Sequence, residues 1–122
     1  MESNRGDRRD TETTVIYVSR EFFDMIKSGT KTLELRVAFP SFAKLTPGNR
    51  VNFSSGSGEQ IEVRILAIRN YKTIDDVKTS EDLSRLAPGM TERQLTSAAK
   101  RIFKESDIQK HGLLMIEFAK MA

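Results

Sequence analysis

The chain has 122 residues, of which 38% are hydrophobic and 30% are charged, and its formal net charge is +3 at pH 7. This length suits one compact domain, and no apolar run approaches the roughly 20 residues that a membrane-spanning helix needs. The lack of cysteine excludes disulfides and thiolate catalysis, and a single histidine, His111, excludes a multi-histidine metal cluster. We therefore expect a soluble protein with no metal or other cofactor.

The amino-terminal segment differs in composition from the rest of the chain. Residues 1–13 mix charges of both signs with Ser, Asn, Gly and Thr and contain almost nothing apolar. This composition predicts a disordered tail. The segment also lacks the apolar stretch of a secretory signal, so we expect a cytoplasmic protein. Residues 14–122 are predicted to form the single domain.

The domain is predicted to begin with a strand, a helix and a second strand. Residues 14–18 are β-branched and aromatic, and Ser19 then offers an N-cap for a helix over residues 20–28. Gly29 suits the left-handed C-cap of that helix. The second strand is expected over residues 32–38.

The eight residues from Gly29 to Arg36, Gly-Thr-Lys-Thr-Leu-Glu-Leu-Arg, have the pattern most typical of a binding site. Side chains alternate along a strand, which places Thr32, Glu34 and Arg36 on one side and the intervening apolar residues on a core. Lys31 lies at the mouth of the strand, close to the polar side. Two interpretations stay open from these residues alone: a half-exposed strand with a surface ion pair, or an anion- or nucleotide-binding cleft.

The middle of the chain predicts two further strands. Residues 39–42, Phe-Pro-Ser-Phe, should end the preceding strand and pack their aromatic rings as a lid or plug. Pro47–Gly48 predicts a turn into a strand over residues 50–54. Residues 54–58 lack the Gly-Lys-Ser/Thr of a phosphate loop and predict a hairpin turn. Residues 61–70 alternate at first and become apolar on both faces around residues 66–68, as expected of a long strand that curves through a barrel.

The last third of the chain predicts helices and a final strand. Thr73 and Thr91 each begin a helix-start pattern, and Thr91 with Gln94 has the residue types of a capping box. The helix after Thr91 carries an apolar stripe at helical spacing: Leu95, Ala98, Ala99, Ile102 and Phe103. Its other face is basic, as an ordinary solvated face would be: Arg93, Lys100, Arg101 and Lys104. His111 is expected in a loop or cap before a strand over residues 113–119.

This order of elements predicts an α+β fold in which a small closed sheet packs against helices, with a ligand groove between them. Lys31 and Arg36 are candidates for holding a phosphate. Glu34 is a candidate for pairing with Arg36, for accepting a hydrogen bond from a nucleobase, or for acting as a general base. Tyr71, beside Lys72, offers a ring for base stacking, or else packs at the barrel end with a satisfied hydroxyl.

Basic residues outnumber acidic ones by nine to five between residues 13 and 72, the part of the chain that contains the motif. A basic region on an otherwise balanced protein favours phosphate-bearing partners, although solvated lysines and arginines remain the simpler explanation. We expect RNA or a nucleotide as the partner, a protein partner as the further possibility, and a monomer.

The motif Gly29-x-Lys31-x-x-Glu34-x-Arg36 resembles the signature of ASCH domains, which belong to the PUA-like superfamily. The resemblance covers about residues 14–120. Other segments follow in the order found in small stand-alone ASCH proteins of bacteria and archaea: Val37 to Pro40, Pro47 to Phe53, Tyr71 to Ile74, Pro88 and Gly112 to Ile116. The resemblance implies a PUA-like mixed β-barrel of about five strands with flanking helices, and a cleft lined by Lys31, Glu34 and Arg36.

The resemblance also implies RNA binding, which is the activity usually proposed for the family. Some ASCH relatives are acetylcytidine amidohydrolases, in which the motif lysine assists a threonine nucleophile. This sequence has Glu34 where that threonine would stand, and Thr32 lies one pleat too early. Hydrolysis of a modified nucleoside or of RNA, with Lys31 and Glu34 as acid and base, is the alternative to a binding module. A third alternative is a protein-interaction domain that uses residues 39–42 or the basic helix.

Overall fold

The computed structural model of the chain describes residues 14–121, so the predicted tail over residues 1–13 lies outside the described residues. Five strands and six helices follow one another in this part of the chain, which confirms the predicted α+β class. In chain order they are β1 (Thr14–Tyr17), α1 (Arg20–Ser28), β2 (Leu33–Val37), α2 (Pro40–Ala43), β3 (Arg50–Ser54), β4 (Gln60–Tyr71), α3 (Ile74–Ser80), α4 (Leu83–Leu86), α5 (Glu92–Ile102), α6 (Glu105–His111) and β5 (Leu113–Lys120). None of these helices has the length and apolar character that a bilayer crossing requires.

The five strands form one sheet in the order β1-β3-β4-β5-β2. β1 pairs with β3 in parallel, and the other three pairings are antiparallel. The sheet curls into a half-barrel in which β1 and β2 are the two edges. The sequence predicted a closed sheet, whereas these two edge strands do not pair with each other. The gap between β1 and β2 is called the seam below.

Local signals in the sequence account for several element ends. The Ser19 hydroxyl accepts a hydrogen bond from the amide of Phe22 at 3.2 Å and so caps α1. Gly29 closes the same helix with φ of 90°, a left-handed conformation that glycine adopts without steric cost. At the start of α5, Thr91 and Gln94 form both hydrogen bonds of a capping box. These caps confirm the predicted starts of α1 and α5.

The longest strand, β4, changes its pattern midway. Its pairing with β5 is irregular between Ile65 and Ala67, and the intervening Leu66 is half exposed. An extra residue of this kind bends a strand and increases its twist. The bulge explains why the sequence of β4 is apolar on both faces in this region, and it curls the sheet.

The apolar residues form two cores, one on each face of the sheet. The first core lies on the face against which α1 packs, and the second core lies between the opposite face and helices α3, α4 and α6. The first contains Ile16, Ile26, Ala38, Leu45, Val51, Phe53, Val63, Ile65, Leu114, Ile116 and Phe118. The second contains Leu33, Leu35, Val37, Val77, Leu86, Ile108, Leu113 and Met115.

The structure corrects the prediction for the carboxy-terminal third in two places. His111, expected in a loop or cap, is the last residue of a helix that was not predicted, α6, and its ring packs edge-on against Phe39 with the centroids 5.0 Å apart. Ile102, assigned to the buried stripe of α5, is 66% exposed because it lies in the last turn, where the helix leaves the core. The remaining members of that stripe are buried or half-buried.

Candidate functional site

Lys31, Glu34 and Arg36 lie together at the outer edge of β2, as the motif predicts. The Glu34 carboxylate is between the two cations: its Oε1 is 3.0 Å from Lys31 Nζ and its Oε2 accepts from Arg36 Nε at 2.7 Å. Each carboxylate oxygen therefore serves one cation. These three residues are called the triad below.

Lys31 is the most deeply buried member of the triad, with only 1% of its side chain exposed. Its Nζ donates to the carbonyl oxygens of Leu33 at 2.6 Å and Leu86 at 2.5 Å, besides the contact with Glu34. An ammonium group has three hydrogens, so these three acceptors use all of them. The ring of Phe22, whose centroid is 4.7 Å from Nζ, adds a cation–π contact. Lys31 thus ties α4 to β2.

The backbone around Lys31 explains why the side chain enters the interior. After the turn at Gly29, the amides of Thr30 and Lys31 both donate to the carbonyl oxygen of Met25, which folds the chain back against α1. The next amide, that of Thr32, donates to the carbonyl of Arg85 at the end of α4. Lys31, expected at the mouth of the strand, is covered from two sides by α1 and α4.

Arg36 is the most exposed member of the triad, with 25% of its side chain accessible. Its Nη2 donates to the carbonyl oxygen of Tyr17 in β1 at 2.6 Å, so the side chain crosses the seam between the two edge strands. The ring of Phe42 lies 6.0 Å from the guanidinium carbon. Within residues 14–121, Nη1 has no hydrogen-bond partner. Arg36 therefore keeps donors available at the surface.

The charges of the triad are not balanced. Two cations share one carboxylate, and Glu34 has only 8% of its side chain exposed. Buried charges are stable only when paired and hydrogen-bonded, and here carbonyl dipoles take part of the excess positive charge. The arrangement is a buried ion pair with a second cation at its surface end.

Tyr71 and Lys72, the other two predicted site residues, are not brought together with the triad. Tyr71 is aligned with Leu113 and Val37 across the sheet, so it lies on the face of the second core. Its hydroxyl donates to Glu81 Oε2 at 2.5 Å. Burial, followed by the hydrogen bond to Glu81, raises the pKa of the Tyr71 phenol. Lys72 is exposed just beyond the end of β4.

A second polar cluster, centred on Arg69, lies on the face of the sheet that carries the second core. The Arg69 guanidinium donates to Glu81 twice, from Nε at 2.6 Å and from Nη2 at 2.9 Å, and its Nη1 donates to Glu117 at 2.8 Å. Arg85 donates to Glu117 at 3.1 Å and to the Thr32 hydroxyl at 2.7 Å. We call these residues, together with Tyr71, the Arg69 network.

The hydrogen bonds of the Arg69 network shift the pKa values of its carboxyl groups. The two bonds from Arg69 are the main cause that lowers the pKa of Glu81. The pKa of Glu117 is lowered by its bonds to Arg69 and then to Arg85. In return, the bond to Glu81 raises the pKa of Arg69 above its already high ordinary value. Both carboxylates stay ionised near neutral pH.

The Arg69 network was not predicted from the sequence. Its members are spread from Thr32 to Glu117, and no short motif connects them. The one signal is positional: Arg69 is aligned with Leu35 and Met115, both in the second core, so a charged side chain stands in an apolar row. A buried or half-buried arginine in such a row predicts carboxylate partners. Within residues 14–121, no group of three or more His, Asp or Glu side chains is placed to hold a metal ion.

The curled five-stranded sheet and its flanking helices have a PUA-like fold, and the triad lies at the edge of this sheet. The model of the ASCH domain family matches residues 16–122, and the chain belongs to this family. The family assignment made from the motif is thereby confirmed.

Solved structures show the same fold. The hypothetical protein PH0355 aligns with a TM-score of 0.80 at 21% identity, over 89% of this chain and 99% of its own. PF0455 from Pyrococcus furiosus gives 0.72 at 24% identity, over 89% and 97%. A mutant of ZmASCH from Zymomonas mobilis gives 0.60 at 18% identity, over 86% and 67%. A comparison with curated proteins gave no match.

Proposed function

We propose that this ASCH domain protein binds RNA or a nucleotide, and that Arg36 contacts a phosphate while Lys31 and Glu34 hold Arg36 in position. The observation that carries the proposal is the unequal charge of the triad, in which two cations share one carboxylate. A phosphate at the exposed end would supply the missing negative charge. RNA and nucleotides are the partners that the family assignment favours.

The geometry of Arg36 supports its role as the contacting residue. Its Nε is taken by Glu34 and one hydrogen of Nη2 by the Tyr17 carbonyl, which fixes the plane of the guanidinium. The remaining hydrogens point away from these partners. A planar guanidinium with two adjacent donors matches phosphate oxygens in a bidentate manner, and it loses little entropy if it is already fixed.

Lys31 and Glu34 are better suited to positioning than to contact with the ligand. All three Nζ hydrogens of Lys31 have acceptors within the protein, and both oxygens of Glu34 have cationic partners. A ligand that reached either group would have to replace one of these buried interactions. This assignment differs from the sequence-based one, which placed Lys31 directly on the phosphate.

Binding of a short, fluorescently labelled RNA at low salt, followed by anisotropy, tests the proposal. Arg36→Gln should weaken binding about tenfold, because charge-assisted hydrogen bonds to the phosphate are lost. Arg64→Gln is the matched control, since Arg64 is an exposed arginine on β4, outside the triad. Affinity should also fall with rising salt. Lack of binding by the native protein, or equal affinities of both variants, would contradict the proposal.

The hydrolase alternative has weaker support. A hydroxyl nucleophile would have to stand beside Lys31, but the motif threonine considered from the sequence, Thr32, accepts a hydrogen bond from Arg85 in the other cluster. Lys31 Nζ also has no hydrogen left to offer a substrate in this arrangement. Incubation with acetylated cytidine and with RNA tests the alternative, and turnover that disappears in Glu34→Gln would favour it.

A further inference from the structure

We infer that the groove between α1 and α5 holds an unpaired base of single-stranded RNA, and that α5 contacts the phosphates on either side of it. This inference rests on the proposed function and extends it to a second surface. The groove has a volume of about 660 Å³, within the range of small-ligand pockets. It is lined by Glu21, Phe22, Met25, Pro88, Gly89, Met90, Arg93, Gln94, Ser97 and Arg101.

One side of the groove is apolar and contains an aromatic ring. Phe22 and Met25 come from α1, and Pro88 and Met90 from the loop before α5, and all four are only partly buried. Stacking on an aromatic ring is the usual way in which proteins hold an unpaired base, because every base has a flat face. This side therefore offers a platform for a base.

Phe22 connects the groove with the triad. Its ring lines the groove and also lies over Lys31 Nζ, with 4.7 Å between the nitrogen and the ring centroid. The buried ammonium group holds the ring through a cation–π contact, so the platform is fixed before a ligand arrives. A base against Phe22 would thus be close to the charged interior without direct contact with Lys31.

The other side of the groove is basic. Arg93, Ser97 and Arg101 follow one another at spacings of four residues, so they lie along one side of α5, and the two arginines are roughly 12 Å apart along its axis. Both arginines are exposed, and neither forms an ion pair within residues 14–121. Glu21 is the single acidic residue of the lining. This row is complementary to an RNA backbone that passes on both sides of the bound base.

An apolar pocket beside a basic row distinguishes single-stranded from double-stranded RNA. In a duplex the faces of the bases are covered by their neighbours, and proteins reach mainly the phosphates and 2′-hydroxyls. A groove of this size cannot use its aromatic wall on a duplex. The predicted ligand class is therefore an RNA with unpaired bases.

The first test removes the charge of the basic row. Anisotropy titrations with a labelled single-stranded RNA should show about tenfold weaker binding for Arg93→Gln combined with Arg101→Gln, and a salt dependence whose slope falls by about 1.4. The control is Lys44→Gln combined with Lys110→Gln, which removes the same charge from exposed positions outside the groove. The control should change affinity less than about twofold.

The second test removes the aromatic platform. Phe22→Leu should weaken single-strand binding about tenfold, whereas Phe39→Leu, which removes a partly exposed ring outside the groove, should leave it unchanged. If Phe22→Leu melts below the assay temperature, Met90→Gln replaces it, because Met90 is in an irregular loop. The same RNA annealed to its complement should bind the native protein more weakly than the single strand.

The outcomes separate this inference from the proposed function. If Arg36→Gln weakens binding but the groove variants match their controls, the groove is not the binding surface and the proposed function stands. Equal affinity for single-stranded and duplex RNA would also overturn the inference alone. If the native protein binds neither RNA at low salt, both are wrong.

Discussion

The triad and the Arg69 network each pair cationic side chains with glutamates, but they lie on opposite faces of the sheet and are built differently. The triad comes from six consecutive positions of the chain, with Lys31 and Glu34 almost wholly buried and with two cations on one carboxylate. The network draws Arg69, Glu81, Arg85 and Glu117 from distant elements, and its two cations balance two carboxylates.

The two clusters differ in whether their charges are balanced by groups within the cluster. Every ionised group of the Arg69 network has its counter-charge within the cluster, so the network is suited to fastening the segment between α3 and α4 to the sheet. The triad keeps a unit of positive charge in excess and presents it at the seam. We expect the first cluster to affect mainly stability and the second to affect both stability and binding.

The largest effect is expected from Lys31→Met. The variant leaves the carbonyls of Leu33 and Leu86 without a donor and removes one partner of the buried Glu34 carboxylate. The free energy of unfolding, measured by urea denaturation, should fall by about 3–5 kcal/mol. Lys27→Met is the matched control on the surface and should have little effect, since Lys27 is more than half exposed. Similar losses in the two variants would mean that Lys31 is not a buried anchor.

A smaller loss is expected in the network from Glu81→Gln. The neutral amide has one acceptor oxygen in place of two charged ones, so it cannot reproduce both charge-assisted hydrogen bonds from Arg69. The loss is limited because Arg69 can turn toward solvent, since 35% of its side chain is exposed. Stability should fall by about 2 kcal/mol. The binding of RNA should stay unchanged, and reduced binding in this variant would show that the two clusters are not separate in function.

Tyr71→Phe should cost about 1 kcal/mol, because only the hydrogen bond from the phenol to Glu81 is lost while the ring keeps its place in the second core. Thermal unfolding monitored by circular dichroism measures the change. Tyr17→Phe, at an exposed position, is the control. If Tyr71→Phe leaves stability intact, the hydrogen bond to Glu81 is not a stabilising contact. Weaker RNA binding in Tyr71→Leu, which removes the ring, would favour the base-stacking role considered from the sequence.

The smallest effect is expected in mild acid. Glu81 and Glu117 have pKa values below their usual value of 4.5 in the folded protein, so their contribution to stability is present above pH 4.5 and is lost as the pH falls through the lowered values. Urea denaturation at a series of pH values should show this loss in the native protein. In Glu81→Gln combined with Glu117→Gln the acid-dependent loss of stability should be smaller than in the native protein. A pH profile equal to that of the native protein would show that the loss does not come from Glu81 and Glu117.

The sequence predicted the fold best where one residue decides a local conformation. Ser19 and Gly29 bound the first helix, and Thr91 with Gln94 begins α5 through a capping box. Such signals act over three or four residues, so they can be read without knowing the fold. By contrast, Lys104, the N-cap residue of α6, makes no side-chain capping hydrogen bond, and the helix has only Ile108 fully buried, so neither capping nor periodicity indicated it.

The triad could be predicted as a group, but its burial could not. The alternation of β2 put Glu34 and Arg36 on one side, and the register of the sheet bears this out. The depth of Lys31 depends on α4, whose Leu86 carbonyl comes from 55 residues further along the chain. The Arg69 network could not be predicted from the sequence for the same reason, since its contacts are set by the packing of α3 and α4 and not by spacing in the sequence.

The enclosure of Lys31 has a practical consequence for following this protein in solution. An acylating reagent modifies only amines that it can reach in the uncharged form, and the Lys31 amine is shielded by Phe22, α1 and α4. Exposed lysines, such as Lys44 or Lys110, should react at once. The rate at which Lys31 is labelled, measured by peptide mass, would therefore report the rate at which the protein opens at this edge of the sheet.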